Sequence, residues 1–85
     1  MIDHTKVPYL DGAREALRDG YVSGGTRRNL DWVRPHLSAD GVSEDELVML
    51  ADAQTSGGLL LAGEIPGATV IGELVPAGES AVVVR

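Results

Sequence analysis

The chain has no cysteine and no phenylalanine, one lysine, and only three aromatic residues, Tyr9, Tyr21 and Trp32. Without cysteine there is no disulfide framework, no thiolate metal site and no cysteine nucleophile. With so few aromatics, the core has to be assembled from Leu, Val, Ile and Ala. Positive charge is scarce as well. Seven basic against thirteen acidic residues give a formal charge of −6, which disfavours a nucleic-acid or anionic-membrane partner. No apolar run approaches the roughly 20 residues needed to cross a bilayer, and the N-terminus lacks the layout of a signal peptide. The expectation is a cytoplasmic protein. His4 and His36 stand alone, so each reads as a surface residue and no metal site is expected.

At 85 residues the chain reads as a single domain, 1–85, that buries only roughly 60–65% of its unfolded surface. Residues 2–7 suggest a short strand closed by Pro8. Asp11 is placed to cap a helix over 12–18, which Asp19-Gly20 stops. Thr26 is the expected cap of a second helix carrying Asn29, Leu30 and Val33, bounded by Pro35. Ser43-Glu44-Asp45-Glu46 has the form of a capping box before a third helix, running to about Ala51 and burying Leu47 and Leu50. Leu59 to Ala62 is a short apolar run that suggests a buried strand. Glu64-Ile65-Pro66-Gly67 reads as a turn, and residues 68–75 and 81–84 as a C-terminal hairpin. Together these predict an α+β fold, with a small, mostly antiparallel sheet of about four strands and two to three helices on one face.

Two stretches carry candidate chemistry. Gly24-Gly25-Thr26 leads into a helix, and its amides, beside Arg27 and Arg28, could cradle a phosphate; a capped helix after a flexible turn explains the same residues. Asp52-Ala53-Gln54-Thr55-Ser56-Gly57-Gly58-Leu59-Leu60 sets small polar residues and two glycines before the apolar run. Its amides could face an anion, or the hydroxyls could satisfy local amides while the glycines allow close packing.

The second stretch resembles the Asp-x-Gln-Thr-Ser-Gly-Gly-Leu-Leu signature near the C-terminus of the selenophosphate synthetases (selenide, water dikinases), within the aminoimidazole-ribonucleotide-synthetase-like group. Val7-Pro8-Tyr9-Leu10-Asp11-Gly12-Ala13, Gly24-Gly25-Thr26-Arg27-Arg28-Asn29 and Val70-Ile71-Gly72-Glu73-Leu74-Val75 resemble further segments of that family, in the same order. The family makes selenophosphate from selenide, ATP and water and uses Mg²⁺. The resemblance implies a C-terminal domain that walls part of a nucleotide site. The implied site residues are Gly24, Gly25, Thr26 and Asn29 in one loop and Gln54, Thr55, Ser56, Gly57 and Gly58 in the other. They would donate hydrogen bonds at the phosphate side or at a domain interface.

The chain also departs from that family. Ala53 stands where proline is usual. Only Ala62 to Thr69 separate the apolar run from the Ile-Gly-Glu segment, too few residues for the crossover helix the family carries there. The expectation is a tight hairpin in its place and an uncovered apolar sheet face, closed by self-association or by an N-terminal catalytic domain. The family's catalytic Cys or selenocysteine with its Lys, and its metal-binding aspartates, have no counterpart. The chain alone is therefore expected to bind no cofactor and to be inactive. The alternative is a free-standing structural or interaction module that kept the fold and lost catalysis.

Overall fold

Three α-helices form, but only one of them starts at the cap its sequence predicts. In the computed structural model, which describes residues 1–54 and 57–85, they are α1 (Ala13–Arg18), α2 (Gly24–Val33) and α3 (Glu44–Leu50). α3 begins as the sequence requires: Ser43 is extended, and its hydroxyl accepts the Glu46 amide at 3.3 Å. The reciprocal half of the capping box is not made, because the Glu46 carboxylate pairs instead with Arg14 of α1. α1 is capped by Gly12 in the left-handed conformation (φ 87°), with no side-chain bond, and not by Asp11. It ends in a Schellman motif, where Tyr21 N–H donates to Ala16 O and Gly20 N–H to Leu17 O, both at 3.0 Å, with Gly20 at φ 88°. α2 is capped by Ser23 and not by Thr26, so both glycines lie inside its first turn.

The predicted sheet is overturned. Its regular part is two short parallel strands, β1 (Leu37–Ser38) and β2 (Val82–Val83), not four mostly antiparallel ones. The expected hairpin of 68–75 with 81–84 fails because the N-terminus comes between its arms. Ile2 bridges Val84 in parallel on one side and Gly72 antiparallel on the other. Ile2 N–H donates to Val83 O and Asp3 N–H to Ile71 O, both at 2.7 Å. The segment predicted as strand 2–7 contributes only this bridge and then turns into a single 3₁₀ turn, His4–Lys6, capped by Asp3. A Cβ on Gly72 would overlap the Met1 carbonyl, so this approach depends on glycine. The run 59–62, expected as a buried strand, forms no strand and lies exposed. The turn after it is present: Ala68 N–H reaches Ile65 O at 3.1 Å, with Pro66 and Gly67 at the centre and Gly67 at φ 82°.

The core is small. Leu30 of α2, Leu47 and Val48 of α3, and Val84 are the buried apolar residues, and Ile2, Val33, Leu37, Leu50 and Val82 pack against them. Burial of each such side chain contributes about 1.5–3 kcal/mol. α3 sits between α1 and α2. Its first turn is tied to α1 by Arg14–Glu46 and to the 3₁₀ turn Arg34–His36 by Arg34–Glu44. No helix among the described residues is long and apolar enough to cross a membrane.

Candidate functional site

α2 brings one predicted stretch to the other. Ser23 and Thr26 are spaced three apart at the helix start, so Thr26 points inward from the third helical position, with 1% of its surface exposed. Its N–H donates to Ser23 Oγ at 3.2 Å. Its hydroxyl lies 2.8 Å from Asp52 Oδ1, 3.0 Å from the Ala53 amide nitrogen and 3.0 Å from Ser23 Oγ. A carboxylate only accepts, so Thr26 gives its one proton to Asp52. The Ala53 N–H and the Ser23 hydroxyl are then its donors. The Thr26 hydroxyl thus has no bonding capacity left.

Asn29, one turn further along α2, donates from Nδ2 to the Ala51 carbonyl at 3.0 Å. That carbonyl belongs to the C-cap of α3, where acceptors are left over by the helix itself. Gly25 completes the seam, since a Cβ there would stand 3.1 Å from the Ala53 Cβ. Four of the predicted residues are therefore placed: Thr26 and Asn29 as fasteners, Gly25 as the point of close approach, and Gly24 at the opening of the helix.

The helix start is also where positive charge collects. The Arg28 guanidinium folds back over it, 3.4 Å from where a Gly24 Cβ would be. The partial positive charge of the helix N-terminus lies there too. Asp52 supplies the opposing charge. Its second carboxylate oxygen receives Gln54 Nε2 at 3.4 Å. Gly57 lies against the Gln54 side chain, whose amide oxygen would meet a Cβ at that position. Gly58 has open space around it. Thr55 and Ser56 lie outside the described residues.

The sequence reading missed two parts of this arrangement. Ser23 was legible, because Ser23-x-x-Thr26 has the same cap spacing as Ser43-x-x-Glu46. The Arg14–Glu46 tie was not, since the two residues are 32 positions apart. Beside that pair, the Tyr9 ring lies 5.2 Å from the Arg14 guanidinium, and its hydroxyl is enclosed with no partner among the described residues. Burial, then the Glu46 charge, push the Tyr9 phenol upward. Among the described residues no group of three or more His, Asp or Glu side chains is placed to hold a metal ion.

No family model matches the chain, and no solved structure matches it. Curated proteins do. It is 46% identical over 59 residues to a selenide, water dikinase of Carboxydothermus hydrogenoformans, covering 68% of this chain and 17% of that protein. It is 51% identical over 61 residues to one of Porphyromonas gingivalis, covering 72% and 17%. With the enzyme of Aliarcobacter butzleri the match is 31% over 100 residues, covering 99% of this chain and 29% of that protein. These relatives place the chain among the dikinases. More particularly, it belongs to the selenide, water dikinase family, of whose members it spans well under a third. The match to the Aliarcobacter protein runs over more positions than this chain has residues, so that relative carries additional residues inside the matched span.

Proposed function

We propose that the chain serves as a C-terminal, non-catalytic domain of a selenide, water dikinase, forming one wall of its nucleotide or phosphate site. The observation that carries this reading is the Thr26–Asp52–Ala53 fastening. It joins two segments 26 residues apart in sequence, both of which resemble family segments, into one rigid edge. On that edge the opening amides of α2, the Arg28 guanidinium and the loop beginning at Gln54 stand side by side. Thr26 and Asn29 hold this edge together, and Gly24, Gly25 and Gln54 present it. In the family, ATP and Mg²⁺ come with the catalytic half. The role of this chain's residues is then to bind and orient, not to make or break bonds.

A second reading rests on a different observation. Thr26 and Asn29 spend their polar groups inside the chain, as a purely structural seam would. That favours a module that kept the fold and serves as an interaction partner. Amide NMR during titration with Mg²⁺-ADP and then with inorganic phosphate separates the two. Saturable shifts at Gly24, Gly25, Gln54, Gly57 and Gly58 support the wall. An absence of shifts at millimolar ligand, both alone and with a catalytic half supplied in trans, overturns it in favour of the module.

A further inference from the structure

The inner face of α2 is accounted for by Thr26 and Leu30, both buried. Its outer face is not. There Arg28 is followed one turn later by Trp32, the one tryptophan of the chain. Trp32 is 77% exposed, so it forgoes the large apolar burial an indole offers. The ring is nonetheless held. The His36 ring lies against it, with centroids 5.9 Å apart and planes at 51°. His36 belongs to the 3₁₀ turn Arg34–His36, which is closed by Leu37 N–H on Arg34 O, stiffened by Pro35 and tied to α3 through Arg34–Glu44. A tilted ring at that separation braces one side of the indole and leaves the rest open. An open, braced aromatic face suits a planar partner, and every nucleic base has such a face to offer.

Charge gives the platform a direction. Among the described residues Lys6, Arg14 and Arg34 have carboxylate partners, and Arg28 has none. Its guanidinium lies toward the start of α2, 3.4 Å from where a Gly24 Cβ would be. Gly24 and Trp32 are about 12 Å apart along the axis, at about 1.5 Å per residue. Helical side chains lean toward the N-terminus, which shortens the gap between the indole and that end. At the opposite end Asp31 and Glu44 gather around Arg34. Phosphates are therefore drawn toward Arg28 and kept from the His36 end.

We propose that the open face of Trp32, braced by His36, is a stacking platform for the base of a nucleotide whose phosphates point toward Arg28. Stacking reads no edge pattern, so the platform takes adenine and guanine alike. This inference rests on the nucleotide-wall reading and extends it from the phosphates to the base.

The chain has one indole N–H, so in isotope-labelled chain its NMR signal reports on Trp32 alone, with or without an unlabelled catalytic half. Titrations with Mg²⁺-ADP and with adenosine are expected to give saturable ring-current shifts of the indole, and inorganic pyrophosphate none. Trp32→Leu removes a ring from an exposed position, so spectra elsewhere should be unchanged. Its affinity for Mg²⁺-ADP, read at the Gly24 and Gly25 amides, is expected to fall about tenfold. Trp32→Phe keeps a stacking face and should lose less. Arg28→Gln is expected to weaken Mg²⁺-ADP and to leave adenosine as it was. Shifts at Gly24 and Gly25 with the indole unmoved, or full affinity in Trp32→Leu, overturn the platform and leave the wall standing. An indole that responds to pyrophosphate as much as to adenosine overturns the platform too. Silence at both places with the catalytic half present overturns both readings.

Discussion

Two leucine-rich segments of this chain have opposite fates. Leu47 and Val48, on α3, are buried. Leu59, Leu60 and Leu61, a few residues later, form the more apolar run and lie in solvent. The difference is not hydrophobicity. α3 comes with a cap at Ser43, an ion pair to each side and helices on both flanks, so its backbone is satisfied before its side chains are packed. The 59–61 run needs a neighbour for its backbone, and the positions beside β2 and residues 71–73 are already held by the N-terminus. Apolar side chains are buried where the backbone can follow them, and an extended segment can follow only if an open edge is within reach.

Truncation should separate the two segments first. Leu47→Ala removes a buried side chain facing α2 and the sheet and is expected to cost about 2–4 kcal/mol in urea unfolding. Leu59→Ala is expected to change stability by less than about 0.5 kcal/mol. Similar losses at both sites would mean that the exposed run is packed in solution, and the contrast would fail.

Thr26→Val probes how the ordered part hands over to the exposed run. It strands the Ala53 amide and takes the donor from Asp52, at an expected cost of about 1–3 kcal/mol. Its distinguishing readout is local: faster hydrogen exchange at Ala53 and Gln54 than at Leu47. Uniform acceleration along α3 would mean that Thr26 merely fills space.

The smallest effect concerns acid. The hydrogen bond from Arg14 chiefly holds the Glu46 carboxyl below its ordinary range, and the attraction between their charges adds to it against burial. A group depressed in the folded state stabilises above its unfolded pKa, and the contribution is lost as pH falls through the folded value. The chain should therefore weaken below the ordinary glutamate range, and Glu46→Gln should flatten that part of the profile. Water screens so exposed a pair, so the change is expected to be modest. An unchanged slope would remove this tie from the account of why α3 is well held.

Much of the ordered half is legible residue by residue. Ser43 announces α3, Gly20 ends α1, and Pro35 stands two residues beyond the end of α2. The Gly24–Asn29 and Asp52–Gly58 stretches stand out by composition and by family resemblance before any geometry is known. What sequence spacing could not convey is what the hydroxyl of Thr26 does. It reads as a cap, and it became a buried fastener because Ser23 took the cap three residues earlier. Likewise Glu46 reads as half of a capping box, and Arg14 claims it across 32 positions.

The sequence by itself determined that three helices form, the start of α3 at Ser43 and the stop of α1 at Gly20, the turn at Pro66-Gly67 and membership of the dikinase family. Each of these depends on residues close together in the chain or on an ordered set of motifs. Only the tertiary structure decided the sheet. Strand pairing is a contest among distant segments for the same backbone groups. Ile2 won the place between Val84 and Gly72 that a local hairpin would have closed. That outcome left the 59–62 run without a strand partner among the described residues.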